Sequence, residues 1–175
     1  MPIDTIRSWL GLGGPALDTP DQTPLRELVD TLEHLEPDRA RHLARFAYLL
    51  GRVAHADQHV SADETRAMEA LVVAEGGLTA DQAVMVVGLA KASNLMFGST
   101  ADFQVAQEFA ETATYDEKLA LARCLFRVAA TEGAISIAEE AEIHRVAGIL
   151  KIQPQDLTAL RVSHASYLPG LSRKP

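Results

Sequence analysis

The chain has 175 residues, 47% of them hydrophobic, with 24 Asp and Glu against 16 Lys and Arg and a formal net charge of −8. This length supports one domain with a real core, and the acidic balance without any Lys/Arg cluster argues against nucleic acid as a partner, because phosphate neutralisation needs a basic face. No apolar run approaches the roughly 20 residues of an integral membrane span, and the single Cys124 in "ALARCLFRVA" rules out an intrachain disulfide framework.

In chain order, residues 1–11 place Ile3, Ile6, Trp9 and Leu10 at helical spacing. The segment is too short to hold a helix alone. It is expected either to dock on the domain or to make a weak peripheral contact with a membrane or partner through residues 3–10. "GLGGPALDTPDQTP" (11–24) reads as a linker. Amphipathic helices are then expected at 24–36, 38–56, 62–75, 80–93, 101–112, 115–131, 137–150 and 154–164. No stretch alternates apolar and polar residues as a strand would, and Ala and Leu dominate the apolar residues, which favours helices. The expected fold is therefore all-α, a bundle of about seven to eight helices. It divides into a short amphipathic segment and linker (1–23), a helical domain (24–168) and a flexible tail (169–175). The N-terminus lacks a basic stretch leading into an apolar, cleavable one, and a cytoplasmic location is expected.

An internal repeat organises the middle of the chain. "LLGRVAHADQHVSADETRAMEAL" (49–71) aligns with "CLFRVAATEGAISIAEEAEIHRV" (124–146) at an offset of 75 residues, pairing Arg52 with Arg127, Asp57 with Glu132, Val60 with Ile135 and Glu64 with Glu139. Such self-similarity indicates a helix–loop–helix unit used twice, with pseudo-twofold symmetry if the two copies pack together. In each copy the first helix carries an apolar stripe that runs on to a carboxylate. Leu43, Phe46, Ala47, Leu50, Val53 and Ala54 lead to Asp57, and Leu121, Ala122, Leu125, Val128 and Ala129 lead to Glu132. The second helix of each copy opens with Glu64 or Glu139, each heading an apolar stripe of its own.

Carboxylates drawn together at the mouth of a core must bind a cation, find donors or take up protons. A different reading is equally at hand for half of them: "SADE" (61–64) and "SIAE" (136–139) match a capping box, in which Ser caps the helix and Glu bonds back to its backbone. Capping does not account for Asp57 and Glu132. An EF-hand fails, because counting from Asp57 puts Met68 where the bidentate Glu belongs. His55 and His59 are replaced by Ala130 and Ala134 in the second copy, so the repeated feature is carboxylate. His55 belongs on the solvent side, and His59 is at most an auxiliary ligand. Arg52 and Arg127 fall opposite the stripes, where water is expected to take them.

At these residues the sequence resembles the TerB family, a tellurite-resistance-associated helical domain related to the N-terminal region of some DnaJ-like membrane co-chaperones. The resemblance rests on two copies of an acidic–x₂–aliphatic–S–x₂–E pattern after a helix ending in "RVA", here "DQHVSADE" and "EGAISIAE". The first copy has Asp57-Gln58 where the family usually has Asp-Gly. The resemblance implies a helical bundle with a divalent cation held by Asp57, Glu64, Glu132 and Glu139, and a stress-response role acting through protein partners. Oxygen donors favour Ca²⁺ ahead of Mg²⁺ or Mn²⁺, with Zn²⁺ less suited. No J-domain His-Pro-Asp tripeptide occurs, so co-chaperone activity does not carry over. No Walker loop, G-x-S-x-G or Cys/His nucleophile arrangement is present, so the chain is expected not to be an enzyme. The alternative is a metal-independent interaction scaffold, including a homodimer, built on a groove lined by "MVVGLAKASNLMF" (85–97).

Overall fold

The computed structural model describes residues 2–11, 23–54, 62–93 and 100–168. Within them the chain forms α1 (Pro2–Leu10), α2 (Thr23–Glu33), α3 (Pro37–Ala54), α4 (Ala62–Gly76), α5 (Ala80–Ser93), α6 (Thr100–Thr112), α7 (Tyr115–Ala129), α8 (Ile137–Ile149) and α9 (Pro154–Ser163). Short 3-10 turns occupy Ala130–Glu132 and Ala165–Tyr167. No strand occurs among the described residues, and the fold is all-α. The helix beyond the expected seven to eight is α1.

The helix starts follow local rules. Pro37 and Pro154 open α3 and α9, where a missing N–H costs nothing. Three capping boxes set the starts of α5, α7 and α8. The Thr79, Thr114 and Ser136 side-chain oxygens accept the N–H of Gln82, Glu117 and Glu139, whose side chains accept the N–H of the capping residue in return. The expected helix 115–131 instead ends at Ala129 and tightens into a 3-10 turn, a common way for a helix end to satisfy its last carbonyls.

Helix α3 is the centre of the domain. Residues 43–51 are buried all round it, because α1, α5, α6 and α7 pack against different sides. Burying one side chain such as Leu43, Phe46 or Leu50 stabilises the fold by about 1.5–3 kcal/mol, so this helix carries much of the core. Helix α1 docks on it with Ile6 and Leu10 buried. Arg45 Nε donates to the Trp9 carbonyl at 2.8 Å, and Gln104 Nε2 donates to the Gly11 carbonyl, so the exposed carbonyls at the end of α1 are answered by side chains. Its buried apolar residues, Ile6 and Leu10, are thereby spent on the domain. Met85, Val86 and Leu89 of α5 are likewise buried in the core. Leu95, Met96 and Phe97 lie outside the described residues.

The helix bounds of the two sequence copies recur at the same offset of 75. Helices α3 and α7 end at Ala54 and Ala129, and α4 and α8 begin at Ala62 and Ile137. Each copy packs on the other: α4 lies along α7, and α3 meets both α7 and α8. No helix among the described residues is long and apolar enough to cross a membrane.

Candidate functional site

Asp57, His55, His59 and Ser61 lie outside the described residues. Glu64 is the third residue of α4, and Glu132 closes the 3-10 turn after α7; the side chains of both also lie outside what is described. Because Glu132 belongs to a 3-10 turn, extending the α-helical stripe of α7 to it is not valid geometry. Glu139, third residue of α8, is described. Its Oε2 accepts the Ser136 N–H at 2.7 Å, and Ser136 Oγ accepts the Glu139 N–H at 3.1 Å. The capping box expected from "SIAE" is therefore formed, and it leaves Oε1 of Glu139 without a capping role. Among the described residues no three His, Cys, Asp or Glu side chains are grouped closely enough to hold a metal.

The backbone of the second loop is held firmly. Gly133 takes φ +91°, a left-handed conformation that glycine adopts without strain. The Ile135 N–H then donates to the Tyr167 carbonyl at 2.7 Å, and Ile135 and Leu168 are both buried. The segment after α9 thus folds back across the loop that joins Glu132 to the start of α8. His164 anchors it, buried and stacked on Phe126 at 5.4 Å, with its ring nitrogen 2.8 Å from the Leu160 carbonyl.

Sequence reasoning missed a buried polar cluster. Tyr48 on α3 donates to Asp102 Oδ1 on α6 at 2.5 Å, while Arg52 Nη2 lies 3.0 Å from Oδ2 and Arg145 Nη2 lies 3.7 Å from it. Asp102 is only 4% exposed. Arg52 is thus an ion-pair partner and not the solvated residue expected, because α6 crosses the face of α3 opposite the sequence-predicted stripe. Burial first, and then the bond to Asp102, push the Tyr48 pKa well above its usual value. The one available signal was a tyrosine and an arginine one turn apart on a helix otherwise apolar there.

A second polar region flanks α3 on its N-terminal half, in a cleft of about 790 Å³ lined by Arg39, Arg41, His42, Arg45 and Glu117 among others. Its cations are already engaged. Arg39 donates to Gln82 and Arg41 to Asp38, while Arg45 holds Trp9, Thr112 and Glu108. His42 packs on the Phe109 ring at 5.1 Å, 4.0 Å from Glu117. Burial lowers its pKa, against the pull of Glu117 and with the push of Arg39 and Arg45. Cys124 is buried, and burial with the nearby Glu75 pushes its pKa up to about 12, so the thiol is not primed as a nucleophile.

These features define an all-helical bundle in which Glu64 and Glu139 are the third residues of α4 and α8 and Glu132 closes the turn after α7. A family model described as tellurite resistance protein TerB matches residues 42–162, well over half of the chain, and the chain belongs to the TerB family. No curated protein and no solved structure matches it significantly.

Proposed function

We propose that this TerB domain is a non-catalytic, cytoplasmic stress-response or tellurite-resistance-associated protein that binds a hard divalent cation and acts through protein partners. The ligands in this reading are Asp57, Glu64, Glu132 and Glu139, with His59 auxiliary, and Ca²⁺ is preferred over Mg²⁺ and Mn²⁺, with Zn²⁺ less suited. The observation that carries it is the recurrence of helix bounds at an offset of 75. It puts one carboxylate at the third position of α4 and of α8, and another in each connection ahead of them. All four proposed main ligands are oxygen donors, as a hard cation requires. In this reading the cation ties the two units together across a pseudo-twofold axis and couples the loops to a partner.

The test is thermal unfolding of metal-stripped protein with Ca²⁺, Mg²⁺, Mn²⁺ and Zn²⁺, beside Glu132→Gln. A ligand at 100 times its Kd stabilises the native state by about 2.7 kcal/mol, which a melting curve resolves. A rise with Ca²⁺ or Mn²⁺ that Glu132→Gln abolishes supports the site. A rise with Zn²⁺ alone that survives Glu132→Gln assigns the metal to the histidines. No rise with any ion leaves the second reading, a metal-independent interaction scaffold, which draws on the outward-facing Phe103 of α6.

A further inference from the structure

Phe103 is 60% exposed on α6, an unusual position for a phenylalanine in a domain with an ample core. It does not stand alone. With Ala110 of α6 and Gly148 and Ile149 of α8 it lines a groove of about 660 Å³ between the two helices. A Cβ added at Gly148 would meet nothing within 4 Å, so the glycine leaves the groove open. The rim carries Lys118, Arg145 and Lys151 against the single carboxylate of Glu111, with His144 also there and 3.7 Å from Glu140. This reverses the balance of the chain, which has 24 acidic residues against 16 basic ones. Arg145 is committed to Glu142 and Asp102. Among the described residues, the ammonium groups of Lys118 and Lys151 have no ion pair or side-chain hydrogen bond.

Lys151 adds an independent observation. It follows α8 in a Schellman turn, in which the Ile152 N–H donates to the Ala147 carbonyl and the Lys151 N–H to the Gly148 carbonyl, both at 3.1 Å. Its φ is +58°, the one positive value at a non-glycine among the described residues. Helix α4 leaves through Gly77 at φ +67°, the residue type that this conformation favours. At α8 a lysine occupies the strained position, and its side chain is at the groove rim. Strain retained where glycine would relieve it is a mark of a functional position.

We propose that the α6–α8 groove is the docking site for an acidic amphipathic helix of a protein partner, with apolar residues on Phe103 and Ile149 and carboxylates on Lys118 and Lys151. A concave apolar floor between two helices with a charged rim is the shape that takes a helix by its apolar face. Rim charge sets register and encounter rate, and the aromatic anchor supplies affinity. The inference deepens the partner half of the function proposed above and does not involve the cation.

The probe is a fluorescein-labelled peptide of about four helical turns with Leu at i, i+3, i+4 and i+7 and Glu elsewhere, beside a copy with Lys in place of Glu. Fluorescence anisotropy is read with full-length protein in EDTA and again with Ca²⁺, so that failure of the groove and failure of the cation site register separately. The acidic peptide should bind saturably and the basic one should not. Phe103→Ala and Lys118→Glu should each weaken binding about tenfold or more, the loss that removal of an anchor produces. Lys151→Gly should raise the melting temperature while weakening binding, an opposite movement that a purely structural lysine would not give. Equal binding of both peptides, no saturable binding, or Lys151→Gly that leaves affinity unchanged would each overturn the proposal. So would a dimer seen by light scattering that Phe103→Glu dissolves, or binding to anionic vesicles in place of the peptide; either would give the groove a different occupant.

Discussion

Gly51 and Phe126 occupy the same place in the two copies of the repeat, 75 residues apart, and do opposite things. At Gly51 the backbone of α5 comes so close to α3 that an added Cβ would lie 2.7 Å from the Ala90 carbonyl oxygen. At Phe126 the ring is fully buried and stacks on His164. Arg52 and Arg127 diverge in the same way. The Arg52 side chain is 25% exposed and 3.0 Å from Asp102, while Arg127 is 52% exposed and 4.0 Å from Glu75. Residues 43–51 of α3 are enclosed on all sides, while α7 leaves Arg127 exposed. One pattern, placed at the centre and then at the side, yields a tight helix pair with a buried ion pair in one copy and an aromatic wedge with a solvated arginine in the other.

The largest expected effect comes from breaking the wedge. Phe126→Ala should lower stability by about 3–5 kcal/mol, by lost burial plus a cavity, measured by urea unfolding. The reciprocal change, Gly51→Ala, should cost about 2–3 kcal/mol for one methyl group, because a backbone carbonyl cannot give way as a flexible side chain can. If Gly51→Ala is neutral, α3 and α5 are not held as closely as described.

The arginine pair sharpens the contrast at smaller scale. Arg52→Ala should cost about 2 kcal/mol, since it strips a buried carboxylate of its nearest cation. Arg127→Ala should cost about 0.5 kcal/mol or less, as exposed pairs do. Equal costs for the two would mean that the environments do not differ energetically.

The remaining expected effect is a pH dependence. Tyr48 has a raised pKa in the folded state, so above the unfolded value of 10.0 the unfolded chain loses a proton that the folded chain keeps. Stability should therefore be complete below about pH 10 and fall as pH rises beyond it. The fall in the urea midpoint between about pH 9 and 11 should be shallower in Tyr48→Phe, which has no proton to lose.

Much of the fold was legible in the sequence because it rests on rules that act within a turn or two. Apolar spacing on Leu43, Phe46 and Leu50 placed α3, and Ser136 with Glu139 marked the start of α8. The repeat offset was visible as residue identities at Arg52 and Arg127. Less of the candidate site was legible. Of the two roles the sequence offers Glu139, metal ligand and capping residue, the structure shows the capping box, but the Asp102 cluster was invisible, because Tyr48 and Asp102 are 54 residues apart. Whether they meet depends on where α6 crosses α3.

The sequence by itself determined that this protein is helical and, to within about three residues, where its helices start and stop, since periodicity and capping operate between residues up to about four apart. The tertiary structure alone decided which of two equivalent residues is enclosed, which arginine finds a buried partner, and that Phe103 and Lys151 face one groove. Those outcomes depend on how whole helices approach one another, and no local spacing encodes the approach of a helix that arrives from 50 residues away.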